Sequence, residues 1–167
     1  YFDPHTAGLY AGISTISNVI FFATGSIYGV LLATIKIGSP ANWHLLRRSF
    51  LLTGLLGGGA FTVFALFPKT IIRLLMGSTY VPYAHYLPSI SFALLLIAFA
   101  NLLFIYHLAQ RVYAISFVAL FGAAITYVLM LANHTSVQAI ITNVIVGSGV
   151  LLVGIGAFTF IKRGESA

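Results

Sequence analysis

At 167 residues, with 60% hydrophobic and 6% charged side chains, this chain has too little polar surface to dissolve as a globular domain. A net charge of +6 suggests nucleic acid in a soluble protein, but these charges sit at the edges of long apolar runs and report topology instead, so no nucleic-acid partner is expected. The absence of cysteine excludes disulfides and thiolate metal sites.

Five stretches, Tyr10–Ile35, Phe50–Phe67, Ala84–Tyr106, Val112–Leu131 and Val137–Ile161, contain no Asp, Glu, Lys or Arg. A helix rises about 1.5 Å per residue, so about 20 residues match a hydrocarbon core of about 30 Å. Barrel strands alternate polar and apolar positions, whereas Leu94–Leu95–Leu96–Ile97 and Val150–Leu151–Leu152–Val153 do not. The predicted fold is therefore all-α: an integral membrane bundle of five transmembrane helices plus a short interfacial helix over 68–76.

In the first span, 100° per residue gathers Tyr10, Ser14, Ser17, Asn18, Gly25, Tyr28 and Gly29 into an arc of about 120°, interrupted by Phe21 and Leu32. Gly38 and Pro40 break the chain after it, and Arg47 and Arg48 precede the second span. Pro68 then suits a first helical turn and Gly77 a position just past a helix end. Between them, Ile71, Leu74 and Leu75 share one face and Lys69 and Arg73 the other. A frayed continuation of the second span is the competing reading. Tyr80, Tyr83 and Tyr86 form an interfacial aromatic belt.

The third span places Ala98, Asn101 and Ile105 together, and Arg111 follows it. Thr135 and Gln138 have capping-box spacing before the fifth span, where Ser136, Ala139, Asn143, Gly147 and Gly154 fall close to one line. Asn133–His134–Thr135 matches a glycosylation acceptor, but in a loop too short for use.

Small and polar residues mark where helices meet in lipid. Asn18, Asn101 and Asn143 need partners at depth, either one another, backbone or a hydrated cavity. Together with Tyr28 they are candidates for a substrate pathway or for interhelical bonding. Gly8–Gly12, Gly25–Gly29 and Gly54–Gly58 have close-packing spacing, and Gly57, Gly58 and Gly59 add a run. Gly25, Gly29, Gly54 and Gly58 read as packing or hinge positions.

Lys36, Arg47, Arg48, Arg111, Lys162 and Arg163 fall on one side, against Lys69 and Arg73 with Asp3 on the other. Six basic residues against two place the first side in the cytoplasm. The chain is thus expected to start outside the cytoplasmic membrane and end inside, and an odd span count without initiator Met reads as part of a longer protein. The spans hold no carboxylate for a proton relay. His5, His44, His85, His107 and His134 lie in loops or at span ends without metal-site spacing. No catalytic residue, metal or cofactor is expected.

Ala7–Gly8–Leu9–Tyr10 entering a polar-striped span, then Leu45–Leu46–Arg47–Arg48 before a Gly-rich one, resembles the C-terminal half of polysaccharide flippases. Phe67–Pro68, Ile72–Arg73–Leu74–Leu75–Met76–Gly77, Tyr80, Pro82–Tyr83–Ala84 and a long span ending near Gln110–Arg111 extend the likeness over essentially the whole chain. These flippases belong to the multidrug, oligosaccharidyl-lipid and polysaccharide exporter superfamily, and the chain would correspond to spans eight to twelve of a twelve-span member.

The resemblance implies the C-terminal lobe of a two-lobed transporter that flips a lipid-linked glycan precursor by alternating access. Its partners would be membrane lipid, that substrate and an N-terminal lobe, where the family's deep cavity cations are mostly expected. Lys36, Arg47 and Arg48 become candidates for attracting a diphosphate at the cytoplasmic mouth, or else topological anchors. A multidrug exporter of the same superfamily and a non-transporting scaffold subunit are the alternatives.

Overall fold

The computed structural model describes residues 4–37, 39, 41–133 and 135–164, with the side chains of 4–7 and 162–164 left aside. Asp3, Gly38, Pro40 and His134 lie outside the described residues, as do the side chains of Lys162 and Arg163. The helices are α1 (Pro4–Ser17), α2 (Val19–Thr34), α3 (Asn42–Leu66), α4 (Pro68–Leu75), α5 (Tyr86–Ala109), α6 (Ile115–Ala132) and α7 (Val137–Gly164), with a 3-10 helix at Ser78–Tyr83. The protein is an all-α membrane bundle: α3, α5, α6 and α7 are each long and apolar enough to span, and α1 with α2 makes a fifth span if the pair is taken as one.

Helix boundaries depart from the hydropathy boundaries where charge and helix formation diverge. The second span's helix begins at Asn42 rather than Phe50, because Arg47 and Arg48 are good helix formers and both stand exposed on it. Asn42 is buried and closes the preceding loop, its Nδ2 donating to the Lys36 carbonyl at 2.6 Å and its Oδ1 accepting from the Lys36 N–H at 3.2 Å. The fourth span begins at Ile115 rather than Val112. Arg111 there takes φ +60°, while Val112 N–H bonds the His107 carbonyl at 3.0 Å and Arg111 N–H the Leu108 carbonyl at 2.9 Å. That is a Schellman end to α5 without the usual glycine.

The short helix forms as expected. Pro68 opens α4, Gly77 at φ +98° follows its end, and Ile72 is fully buried while Lys69, Arg73, Leu74 and Leu75 are exposed. The cap of α7 shifts by one residue, since it is Ser136, not Thr135, whose Oγ accepts the Ala139 N–H at 3.1 Å.

Helix α5 is central, touching α1, α2, α3, α6 and α7. Two buried clusters sit at opposite ends of the bundle. One joins Tyr28 and Leu31 of α2, Leu46 of α3, Tyr106 of α5, Ile115 of α6 and Ile155 of α7. The other joins Ile13 and Ile16 of α1, Phe64 of α3, Ile72 of α4, Leu87 of α5 and Ile141 of α7. Chain direction therefore alternates from span to span. Lys36, Arg47, Arg48 and Arg111 collect at the first end, Lys69 and Arg73 at the second. Tyr80, Tyr83 and Tyr86 pack against the second cluster.

The outer surface is apolar, with Phe22 on α2 and Phe117 on α6 each 76% exposed. In water such a surface would drive aggregation; in lipid it costs nothing.

Candidate functional site

The first span is not one straight helix. It breaks at Asn18, where α1 and α2 meet at 40°. Asn18 N–H still bonds the Ser14 carbonyl at 2.9 Å, and Phe22 N–H the Asn18 carbonyl at 3.0 Å, so the chain bends without unwinding. Two hydroxyls flank the bend: Thr15 Oγ1 donates to the Ala11 carbonyl at 2.8 Å, and the buried Ser17 Oγ accepts from Ser91 Oγ of α5 at 3.2 Å.

Below the bend lies a cleft of about 220 Å³ between α1, α5 and α7, lined on one side by Tyr10, Ser14 and Asn18 and on the other by Ile90, Leu94 and Val144. Tyr10 and Ile90 also border a smaller hollow beside Tyr83 and Tyr86, which leads toward the second end of the bundle. Asn18 is two turns from Tyr10, about 12 Å along the helix. Its amide is half-buried and has no side-chain partner among the described residues. A polar group of this kind at depth belongs in a hydrated space or against a ligand.

The other amides are spent on structure. Asn143 Nδ2 donates to the carbonyls of Leu129 at 3.0 Å and Asn133 at 2.6 Å, capping the end of α6 from α7. The Tyr28 hydroxyl donates to the Ala98 carbonyl at 3.0 Å and meets Thr24 Oγ1 at 2.9 Å, with Asn101 beside it. Tyr28 is buried between α2 and α5 and does not line the cleft. Of the four pathway candidates only Asn18 faces it. Ser14 and Tyr10 were legible as part of the same stripe; Ile90, Leu94 and Val144 carried no signal beyond being apolar.

A second concavity, about 370 Å³, opens where α2 passes into α3 and gathers Lys36, Arg48, His44, Thr34, Ser39 and Asn42. Arg47 does not join it. Successive helical residues diverge by 100°, and Arg47 lines a different, apolar groove with Trp43 and Phe50. The expected trio of mouth cations is thus a pair, Lys36 with Arg48, and a separate Arg47. His107 is buried between α5 and α7, its Nε2 2.8 Å from Thr159 Oγ1. Because that hydroxyl donates to the Ile155 carbonyl at 2.8 Å, it accepts from the imidazole.

Gly25, Gly29 and Gly58 have open space where a Cβ would stand, so no described neighbour crowds them there, and the bend observed in the first span lies at Asn18. A Cβ on Gly54 would only reach the Phe99 ring at 3.6 Å. The close approaches are at Gly12, where an added Cβ would meet Met76, at Gly57, where it would meet Leu95 at 2.9 Å, at Gly122, where it would meet Leu151 at 2.7 Å, and at Gly147, where it would meet Thr126.

Comparison with family models, with curated proteins and with solved structures finds no match to this chain.

Proposed function

We propose that the chain is one lobe of a plasma-membrane transporter that carries a lipid-linked, anionic saccharide from the cytoplasmic to the outer leaflet by alternating access. The observation that carries this reading is the unpartnered Asn18 amide at a broken span, facing a cleft at membrane depth. Broken helices lining midplane cavities are how transporters present polar groups to a substrate without exposing backbone to lipid. The anionic character follows from Lys36 and Arg48 lining one concavity with His44 and hydroxyl groups. That end carries the basic excess, which the positive-inside bias assigns to the cytoplasm. The glycan follows from the resemblance in sequence to polysaccharide flippases. The carboxylate-free spans fit a saccharide flippase better than an ion-coupled drug exporter.

Complementation tests it. Expressed in a strain lacking its own flippase, the full-length protein should restore glycan on the outer surface. Lys36→Gln with Arg48→Gln should lower that signal without changing the amount inserted, whereas an inverted topology would show them to be anchors. No restoration together with ion-driven dye efflux would identify a drug exporter instead.

A further inference from the structure

Arg47 borders a groove apart from the cleft at Asn18. It stands with Trp43 at one end of a groove of about 410 Å³ between α3, α5 and α7. Phe50 and Leu51 form one wall and Leu152 the other, over Leu103 and the bare backbone of Gly156. The stretch from Arg47 to Leu66 rises about 28 Å, one hydrocarbon thickness, which sets Arg47 at headgroup level when Leu66 lies at the opposite interface. From Trp43 to Leu51 the groove follows α3 for about 12 Å toward the interior.

Two features decide what fits. The hydroxyl in the lining, on Thr159, is already committed to Ile155 and His107, so the interior offers a polar ligand nothing. At the mouth Arg47 is exposed. A cation above a hydrocarbon trough complements a lipid with an anionic head and a flexible apolar chain. We propose that this groove seats one anionic phospholipid, its phosphate against Arg47 and one acyl chain over Gly156 between Phe50 and Leu152. The site is distinct from the polar concavity of Lys36 and Arg48, which has no apolar trough of this kind.

Trp43 is the sole tryptophan of the chain, which makes it a built-in reporter. In phosphatidylcholine vesicles, chain-brominated phosphatidylglycerol should quench Trp43 with about fivefold higher relative affinity than chain-brominated phosphatidylcholine, the worth of one interfacial arginine against an anionic lipid. Arg47→Gln should bring the two lipids to parity while leaving quenching by the phosphatidylcholine unchanged, which shows Trp43 still seated. Lys36→Gln should keep the preference. Gly156→Leu, where an added Cβ meets no atom within 4 Å, should weaken quenching by both lipids. Equal quenching in the unaltered protein, a preference that survives Arg47→Gln, or quenching indifferent to Gly156→Leu would overturn the proposal. So would displacement of the brominated chain by a polyprenyl diphosphate but not by unbrominated phosphatidylglycerol, which would give the groove to a transported lipid.

Discussion

Gly147 meets Thr126, and Gly122 meets Leu151, closely enough that neither glycine tolerates a side chain without movement of α6 against α7. Gly154 lies against Val118 on the same seam, a Cβ there reaching Cγ1 at 3.3 Å. Inserting carbon into such a contact costs about 1–3 kcal/mol, while a site with open space absorbs it within about 0.5 kcal/mol. Gly147→Val should therefore destabilise the bundle by about 1–3 kcal/mol and Gly58→Leu by less than about 0.5 kcal/mol in reversible detergent unfolding. The reverse order would contradict the packing described. Part of this seam was legible, because Asn143, Gly147 and Gly154 share one line on α7. The rest was not: four-residue glycine spacing looks the same toward lipid as toward a helix. Only the neighbour distinguishes Gly57, which Leu95 covers, from Gly58, which nothing covers.

Asn143 ties α6 to α7 through two carbonyls at the end of α6, one of them Leu129, which also accepts the Asn133 N–H at 3.0 Å. Interhelical hydrogen bonds in membranes average about 0.6 kcal/mol, and unpaired buried acceptors cost about 1–3 kcal/mol. Asn143→Leu should lose about 1 kcal/mol of stability and speed amide exchange at Asn133. Exchange at Asn133 that does not change would show the tie to be incidental. The bend between α1 and α2 is the element the sequence concealed. Hydropathy averages over about 20 residues and sees one span. The bend stands instead at a single residue, Asn18, beside a Ser17 whose hydroxyl meets Ser91 of α5, a contact that depends on how α5 packs.

Taken as a whole, the bundle separates its tasks by position. One end carries Lys36 and Arg48 in a polar concavity and Arg47 over an apolar groove; the other carries the exposed cations of α4 and the three tyrosines. Between them, the break at Asn18 opens a partly polar cleft in otherwise apolar spans. The span count and the distribution of cations follow from where charge is excluded. The division of Arg47 from Arg48 required knowing where α3 begins. Residues 1–167 contain no cysteine, so a single substitution adds one thiol to this segment. The most direct measurement is the reaction of Asn18→Cys and Phe22→Cys with a charged, water-soluble thiol reagent in membranes, with and without accumulated lipid-linked saccharide. A hydrated substrate pathway predicts that Asn18→Cys reacts, that the saccharide slows it, and that lipid-facing Phe22→Cys stays inert. Equal reaction at both positions, or labelling at Asn18→Cys indifferent to the saccharide, would contradict it.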